Sequence, residues 1–276
     1  MKVAITGVSG FVGKNLTKVF TDYVAIHRDD TYDEIVAKLK DTDVVINLAG
    51  APIIKRWNDA YKKVLHASRI NTTRTLVDAI NSSDIKHFIS TSAVGVYKNN
   101  TVSDEETKEF GDDFLASLVK DWEAEASRCN KKTAILRFGV IMGADGGALK
   151  QMLTPFKLGV GGIIGDGRMM TSWIAVADLV NIYKFVIEKE LTGIFNAVSP
   201  SPVTNHTFTK ALGEVLHRPT VLPLPEFVLK LIFGEAASVL TDSKEVYPKA
   251  LQNAGFTFLY PDIKSTLGDI VGKTDL

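Results

Sequence analysis

Cysteine is nearly missing from this chain. Cys129 is the only one in 276 residues, which excludes an internal disulfide and any cysteine-built metal centre. It stands in a polar stretch after an expected helix, so a surface thiol is expected. Net charge is missing as well: Lys plus Arg and Asp plus Glu both number 32. With no basic stripe and no interleaved aromatics, neither nucleic acid nor an anionic membrane surface is expected as a partner. Any anion site must therefore be local, built from a few side chains and backbone N–H groups. No apolar run approaches the roughly 18 residues a spanning helix needs. The opening apolar run is short and broken by glycine, unlike a secretory leader, and a cytoplasmic protein is expected. The five histidines show no ligand spacing; His66, His87, His206 and His217 read as structural or surface residues, and no metal site is expected. Internal repeats and low-complexity linkers are also lacking.

What is present is a core. Hydrophobic residues make up 45% of the chain, which argues against disorder. The length suits one large domain or a domain with a smaller lobe. The chain is organised around residues 1–13. Val3, Ala4 and Ile5 read as a short buried strand, glycines follow at Gly7, Gly10 and Gly13, and an apolar helix pattern opens at Phe11. Strand, glycine turn and helix together make a phosphate site. The glycines allow a tight turn and close backbone approach, and the helix start offers unpaired N–H groups and a positive dipole end. A dinucleotide is the expected ligand, with Gly7, Ser9, Gly10, Phe11, Val12 and Gly13 as its cradle.

The spacing next predicts a strand over 23–26, ending in His27, Arg28, Asp29 and Asp30. In a dinucleotide fold this strand end lies beside the adenosine ribose, where an acidic residue suits NAD and a cation suits a 2′-phosphate. His27 and Arg28 favour NADP. Asp29 and Asp30 keep NAD open if the strand ends later, and Arg28 also reads as an ordinary surface charge. After a short helix over 33–40, the apolar run 43–48 predicts a buried parallel strand. At its exit Leu48 is followed by the small residues Ala49 and Gly50, which would let a ligand pass close by. A helix is expected over 58–80 with Asn58 as its N-cap. On it Arg69 is either a solvated charge or a ligand contact, and Trp57 before it is a core anchor or a pocket wall. A strand over 87–91 leads to Ser90, Thr91 and Ser92. A polar loop with Glu105 and Glu106, a helix over 112–129 and a strand over 133–138 with Arg137 near its end follow. This alternation argues for an α/β protein with a Rossmann-type, doubly wound parallel sheet. The expected organisation is a nucleotide-binding domain over 1–148, rejoined by 175–200, and a smaller substrate lobe from 149–174 and 201–276. Within the lobe, 226–233 reads as a buried helix.

Several segments together resemble the extended short-chain dehydrogenase/reductase superfamily: Thr6-Gly7-Val8-Ser9-Gly10-Phe11-Val12-Gly13, Asn47-Leu48-Ala49-Gly50, the serine run ending at Ser92, and Leu136-Arg137-Phe138-Gly139. More narrowly the chain is similar to an atypical branch labelled nucleoside-diphosphate-sugar epimerase or cell-division inhibitor. Lys55-Arg56-Trp57, Ser68-Arg69-Ile70-Asn71, Asp121-Trp122-Glu123-Ala124 and Pro155-Phe156-Lys157 carry that likeness. The resemblance implies NADP binding, with Leu48, Ala49, Arg69 and Ile141 also lining the cofactor. It further implies a small-molecule substrate and a homodimer formed through helices like 58–80 and 112–129.

One departure from the superfamily matters more than the likeness. Ordinary members carry a Tyr and, four residues on, a Lys that lowers its pKa for proton transfer. Aligned on Glu123, those slots hold Leu115 and Val119, neither of which can exchange a proton. Tyr260 and Lys264 have the spacing, but Pro261 intervenes and the segment belongs to the expected lobe. Ser92 remains as a candidate to polarise a substrate, with Tyr97 as a substitute phenol. Two functions follow: an NADP-dependent oxidoreductase or epimerase-like enzyme, or an NADPH-binding regulator without turnover.

Overall fold

A computed structural model describes residues 1–272; positions 273–276, the end of the expected lobe, lie outside the described residues. Six parallel strands form the central sheet: β1 (Val3–Thr6), β2 (Tyr23–Ile26), β3 (Val44–Asn47), β4 (His87–Ala93), β5 (Lys132–Phe138) and β6 (Gly193–Ala197). Their spatial order is β2-β1-β3-β4-β5-β6. The order reverses between β1 and β3, and a ligand crevice opens at such a point outside the strands' carboxyl ends.

The sheet is largely apolar because both faces are covered. Val3, Ile5, Val44 and Ile46 point to one side, against Leu179, Ile182, Tyr183 and Val186 of the Val176–Glu188 helix. Ala4 and Val45 alternate to the other side, against Ile35, Leu39, Leu76, Val77 and Ile80. Each fully buried Leu or Ile contributes about 1.5–3 kcal/mol. A third cluster joins Met142, Leu149, Phe156, Trp173, Phe208, Leu212 and Leu267 from the later part of the chain.

Three local features differ from expectation. The 58–80 helix is interrupted: Asp59–His66 and Thr72–Asn81 flank a π-helical turn, Ala67–Asn71. Asn58 does cap its start, accepting from the Tyr61 amide at 2.8 Å. Cys129 is half-buried against the second cluster rather than a surface thiol, because the chain after the Phe114–Ala126 helix turns back onto the sheet. The Glu226–Phe233 helix is mostly exposed: only Leu229 is buried, while Phe227 and Leu231 are 69% and 73% exposed. Its apolar residues outnumber the positions that one packed face of a two-turn helix can cover.

Candidate functional site

The glycine turn is held by backbone contacts. Gly7 has φ +69°, a conformation that disfavours a side chain. A Cβ there would also lie 3.0 Å from the Leu48 carbonyl oxygen, so the ends of β1 and β3 touch at the switch point. The Gly10 amide donates to the Gly7 carbonyl at 3.0 Å. A Cβ on Gly13 would collide with that carbonyl and with the Val8 backbone. Gly10 caps the Phe11–Leu16 helix with no side chain, which leaves its first amides without a capping acceptor. The Phe11 ring covers Gly143, Gly146 and Gly147. Val8, Val12, Leu48 and Ile141 pack against the first core cluster, with Leu48 beside Gly7 and both the Ile141 carbonyl and Phe11 beside Gly147. Ser9 is exposed at the turn. Ile26 pairs with Thr6, so His27 and Arg28, both exposed, leave β2 beside the turn.

A buried polar relay fixes the exit of β3. Thr6 Oγ1 accepts from the Leu48 and Ala49 amides at 2.8 and 3.0 Å and donates to Asn47 Oδ1 at 2.9 Å. Asn47 Nδ2 and Trp122 Nε1 both donate to Thr73 Oγ1, at 2.8 and 2.9 Å. Next to Gly50 lies the Arg69 guanidinium, carried on the π turn. It donates to the carbonyls of Ala51 (3.0 Å) and Leu65 (3.3 Å) and stacks 5.3 Å from the Trp122 ring centroid. Burial pulls its pKa down to about 10, so it stays charged at neutral pH. Among the described residues no carboxylate forms an ion pair with it. Trp57, buried and edge-on to Phe114 at 5.3 Å, is a core anchor.

The other half of the site is an ionic network. The structure extends β4 to Ala93, so Ser92 lies within the strand and is 1% exposed. Its hydroxyl donates to Glu123 Oε1 at 2.5 Å. Arg137 grips the same carboxylate with Nε and Nη2, both at 2.7 Å. Burial works against the Arg137 charge, but Glu123 outweighs it and its pKa rises. Arg137 Nη1 donates to the Tyr97 hydroxyl at 2.8 Å, which donates to Asn196 Oδ1 at 2.9 Å. Tyr97 is fully buried, and burial raises its pKa. Its proton is committed to Asn196, and this placement counts against the proton-donor role expected for it.

Leu115 packs on Gly95, and Val119 is buried among Val94, Val96 and Tyr97. Lys120 is spent on the Gly111 carbonyl at 3.1 Å. Glu105 accepts from the Asn196 and Ala250 amides, with burial raising its pKa, while Glu106 pairs with Lys249. Glu123 and Asn196 are the site residues that sequence reasoning missed. Arg137, a cation in an apolar strand, was the signal that a carboxylate had to be near. A cavity of about 790 Å³ opens elsewhere, lined among others by Asn99, Arg168, Lys230 and Asp242. It shares no residue with the glycine turn.

A parallel sheet with this strand order and a glycine turn at its switch point defines a Rossmann-type α/β protein. The NAD dependent epimerase/dehydratase family matches residues 3–197, and the chain belongs to that family. Residues 224–270 match a second family, described as Domain of unknown function (DUF1731). The chain is 34% identical to the epimerase family protein SDR39U1 of Mus musculus, over 98% of this chain and 100% of that protein. It is 36% identical to the chloroplastic SDR39U1 homolog of Arabidopsis thaliana, over 98% and 87%. The crystal structure of human SDR39U1 (isoform2) with NADPH matches with a TM-score of 0.92 at 32% identity, covering 99% of both chains. A nucleoside-diphosphate sugar epimerase from Corynebacterium glutamicum matches at 0.79 and 32%, over 99% of this chain and 58% of that one.

Proposed function

We propose that this chain binds NADPH across the carboxyl ends of β1–β3 and acts as an NADP-dependent oxidoreductase or epimerase-like enzyme on a small molecule. One observation carries the reading. Gly7 before the helix and Gly13 in its first turn bring the backbone together where any side chain would intrude, at a helix start with no side-chain cap. Gly7, Ser9, Gly10, Phe11, Val12 and Gly13 would take the diphosphate. Leu48, Ala49, Gly50 and Ile141 would line the coenzyme, Arg69 would add charge, and His27 and Arg28 would face the 2′-phosphate. The human relative's NADPH complex supports this reading. When bound, the coenzyme supplies a hydride. Ser92, 1% exposed, gives its proton to Glu123 in this structure; polarising a substrate would require that contact to open, and Arg137 holds the carboxylate that receives the proton.

Calorimetry with NADPH and NADH tests the binding step, and loss of NADPH absorbance across a panel of carbonyl compounds and nucleotide sugars tests turnover. Absence of coenzyme binding at millimolar concentration overturns the reading. A second reading, an NADPH-responsive regulator without turnover, is favoured by the apolar Leu115 and Val119. It predicts a thermal shift with NADPH and no reaction, and any physiological turnover rejects it. No helix among the described residues is long and apolar enough to cross a membrane. A cytoplasmic location and a homodimer through the segments 58–80 and 112–129 are further parts of this proposal. Light scattering giving a monomer mass removes the last point.

A further inference from the structure

The turn that leaves β2 is pinned by an ion pair with no assigned role. The Asp30 carboxylate turns back to accept from the His27 amide at 2.7 Å and forms an ion pair with Lys38. The Asp30 amide closes the same turn on the His27 carbonyl at 3.4 Å. Lys38 comes from the last turn of the Tyr32–Leu39 helix, whose start is fixed by reciprocal bonds between Thr31 and Glu34. The Asp30 side chain is only 12% exposed, while Arg28 and Asp29 form the exposed tip. Arg28 is therefore carried on a short turn whose two ends are tied together. Of the two acids that would suit a ribose hydroxyl, Asp30 is engaged elsewhere and neutralised, while Asp29 stays exposed at the tip beside Arg28.

We infer that the Asp30–Lys38 pair makes the site selective for a 2′-phosphorylated adenosine, by holding the Arg28 turn in place and by cancelling a carboxylate that would repel the phosphate. The inference rests on the coenzyme reading above. Asp30 and Lys38 act as positioning residues and need not touch the ligand. Removing Lys38 leaves an uncompensated carboxylate at the turn, which penalises the doubly charged phosphate and spares a ligand that lacks it. Removing the Asp30 charge as well cancels that penalty, and an asparagine there still offers an oxygen to the His27 amide.

The test is calorimetry of the full chain with NADPH, NADH, 2′,5′-ADP and 5′-AMP. Lys38→Ala is expected to weaken NADPH and 2′,5′-ADP about fivefold, the size of a partly screened charge effect, and to leave NADH and 5′-AMP unchanged. Adding Asp30→Asn to that variant is expected to restore most of the loss. Equal weakening of all four ligands, no weakening, or failure of the double variant to recover overturns the inference while leaving the coenzyme site standing. A wild-type chain that binds none of the four overturns the coenzyme reading itself, and this inference with it.

Discussion

The two halves of the site are built from different materials. Around β1 and β3, geometry comes from backbone: a left-handed Gly7, a close pass at Gly13, and helix amides with no side-chain cap. On the Phe114–Ala126 helix, everything depends on side chains. There the proton-transfer slots hold Leu115 and Val119, while Glu123 one turn on is gripped by Arg137. Cradling a phosphate asks only for free amides and room, which most of the turn's neighbours can vary around. Moving a proton asks for one particular functional group. In this chain the backbone requirement is met, while for the second the side chains nearest to hand, Ser92 and Glu123, are bonded to each other, and Glu123 to Arg137.

The strongest test of that contrast is Glu123→Leu. It strands a buried guanidinium, and stability is expected to fall by about 3–5 kcal/mol, read by urea unfolding. A loss under about 1 kcal/mol would show the ionic half to be ornamental. Gly13→Val should cost less stability, about 1–3 kcal/mol from overpacking, yet abolish NADPH binding in calorimetry. Retained binding would break the backbone half of the comparison.

The opposite end of β4 supplies a milder contrast in pH dependence. Burial holds the His87 pKa below its ordinary 6.5, although the Leu191 carbonyl favours its proton, and its buried Nδ1 has no hydrogen-bond partner among the described residues. Above 6.5 the imidazole is neutral in both folded and unfolded chains. As pH falls below that value the unfolded chain takes the proton first, so stability declines until the folded pKa is reached. Wild type should lose up to about 1.4 kcal/mol per pH unit more than His87→Gln in this window, seen in melts at pH 7 and pH 5. The smallest effect is expected from Arg28→Ala, about a fivefold loss for NADPH, on the scale of one exposed charge pair, and less for NADH. Equal losses would show that this side chain does not read the phosphate.

These contrasts explain what could be read ahead of the fold. The glycine turn and the strand–helix alternation were legible because each is a local demand: a positive φ, a period of two, a period of 3.6. Asn58 as a cap was legible for the same reason. The Ser92–Glu123–Arg137–Tyr97–Asn196 network was not, because its members lie far apart in sequence on separate elements and meet only when β4, β5 and β6 are side by side. The π turn under Arg69 escaped because one extra residue in a helix barely disturbs its apolar spacing. The Glu226–Phe233 helix misled because apolar content measures what a helix has available to bury, and says nothing of how much neighbouring surface exists to receive it.

The stacking of Arg69 on Trp122 has a practical consequence. All three tryptophans are buried, but among the described residues Trp122 alone has a guanidinium over its ring while its indole N–H is tied into the Thr73 relay. An anion that draws Arg69 off the Ala51 and Leu65 carbonyls would change the local field on that indole. Ultraviolet emission from the unlabelled chain thus becomes an optical readout of occupancy beside Gly50, and Trp122→Phe is its blank.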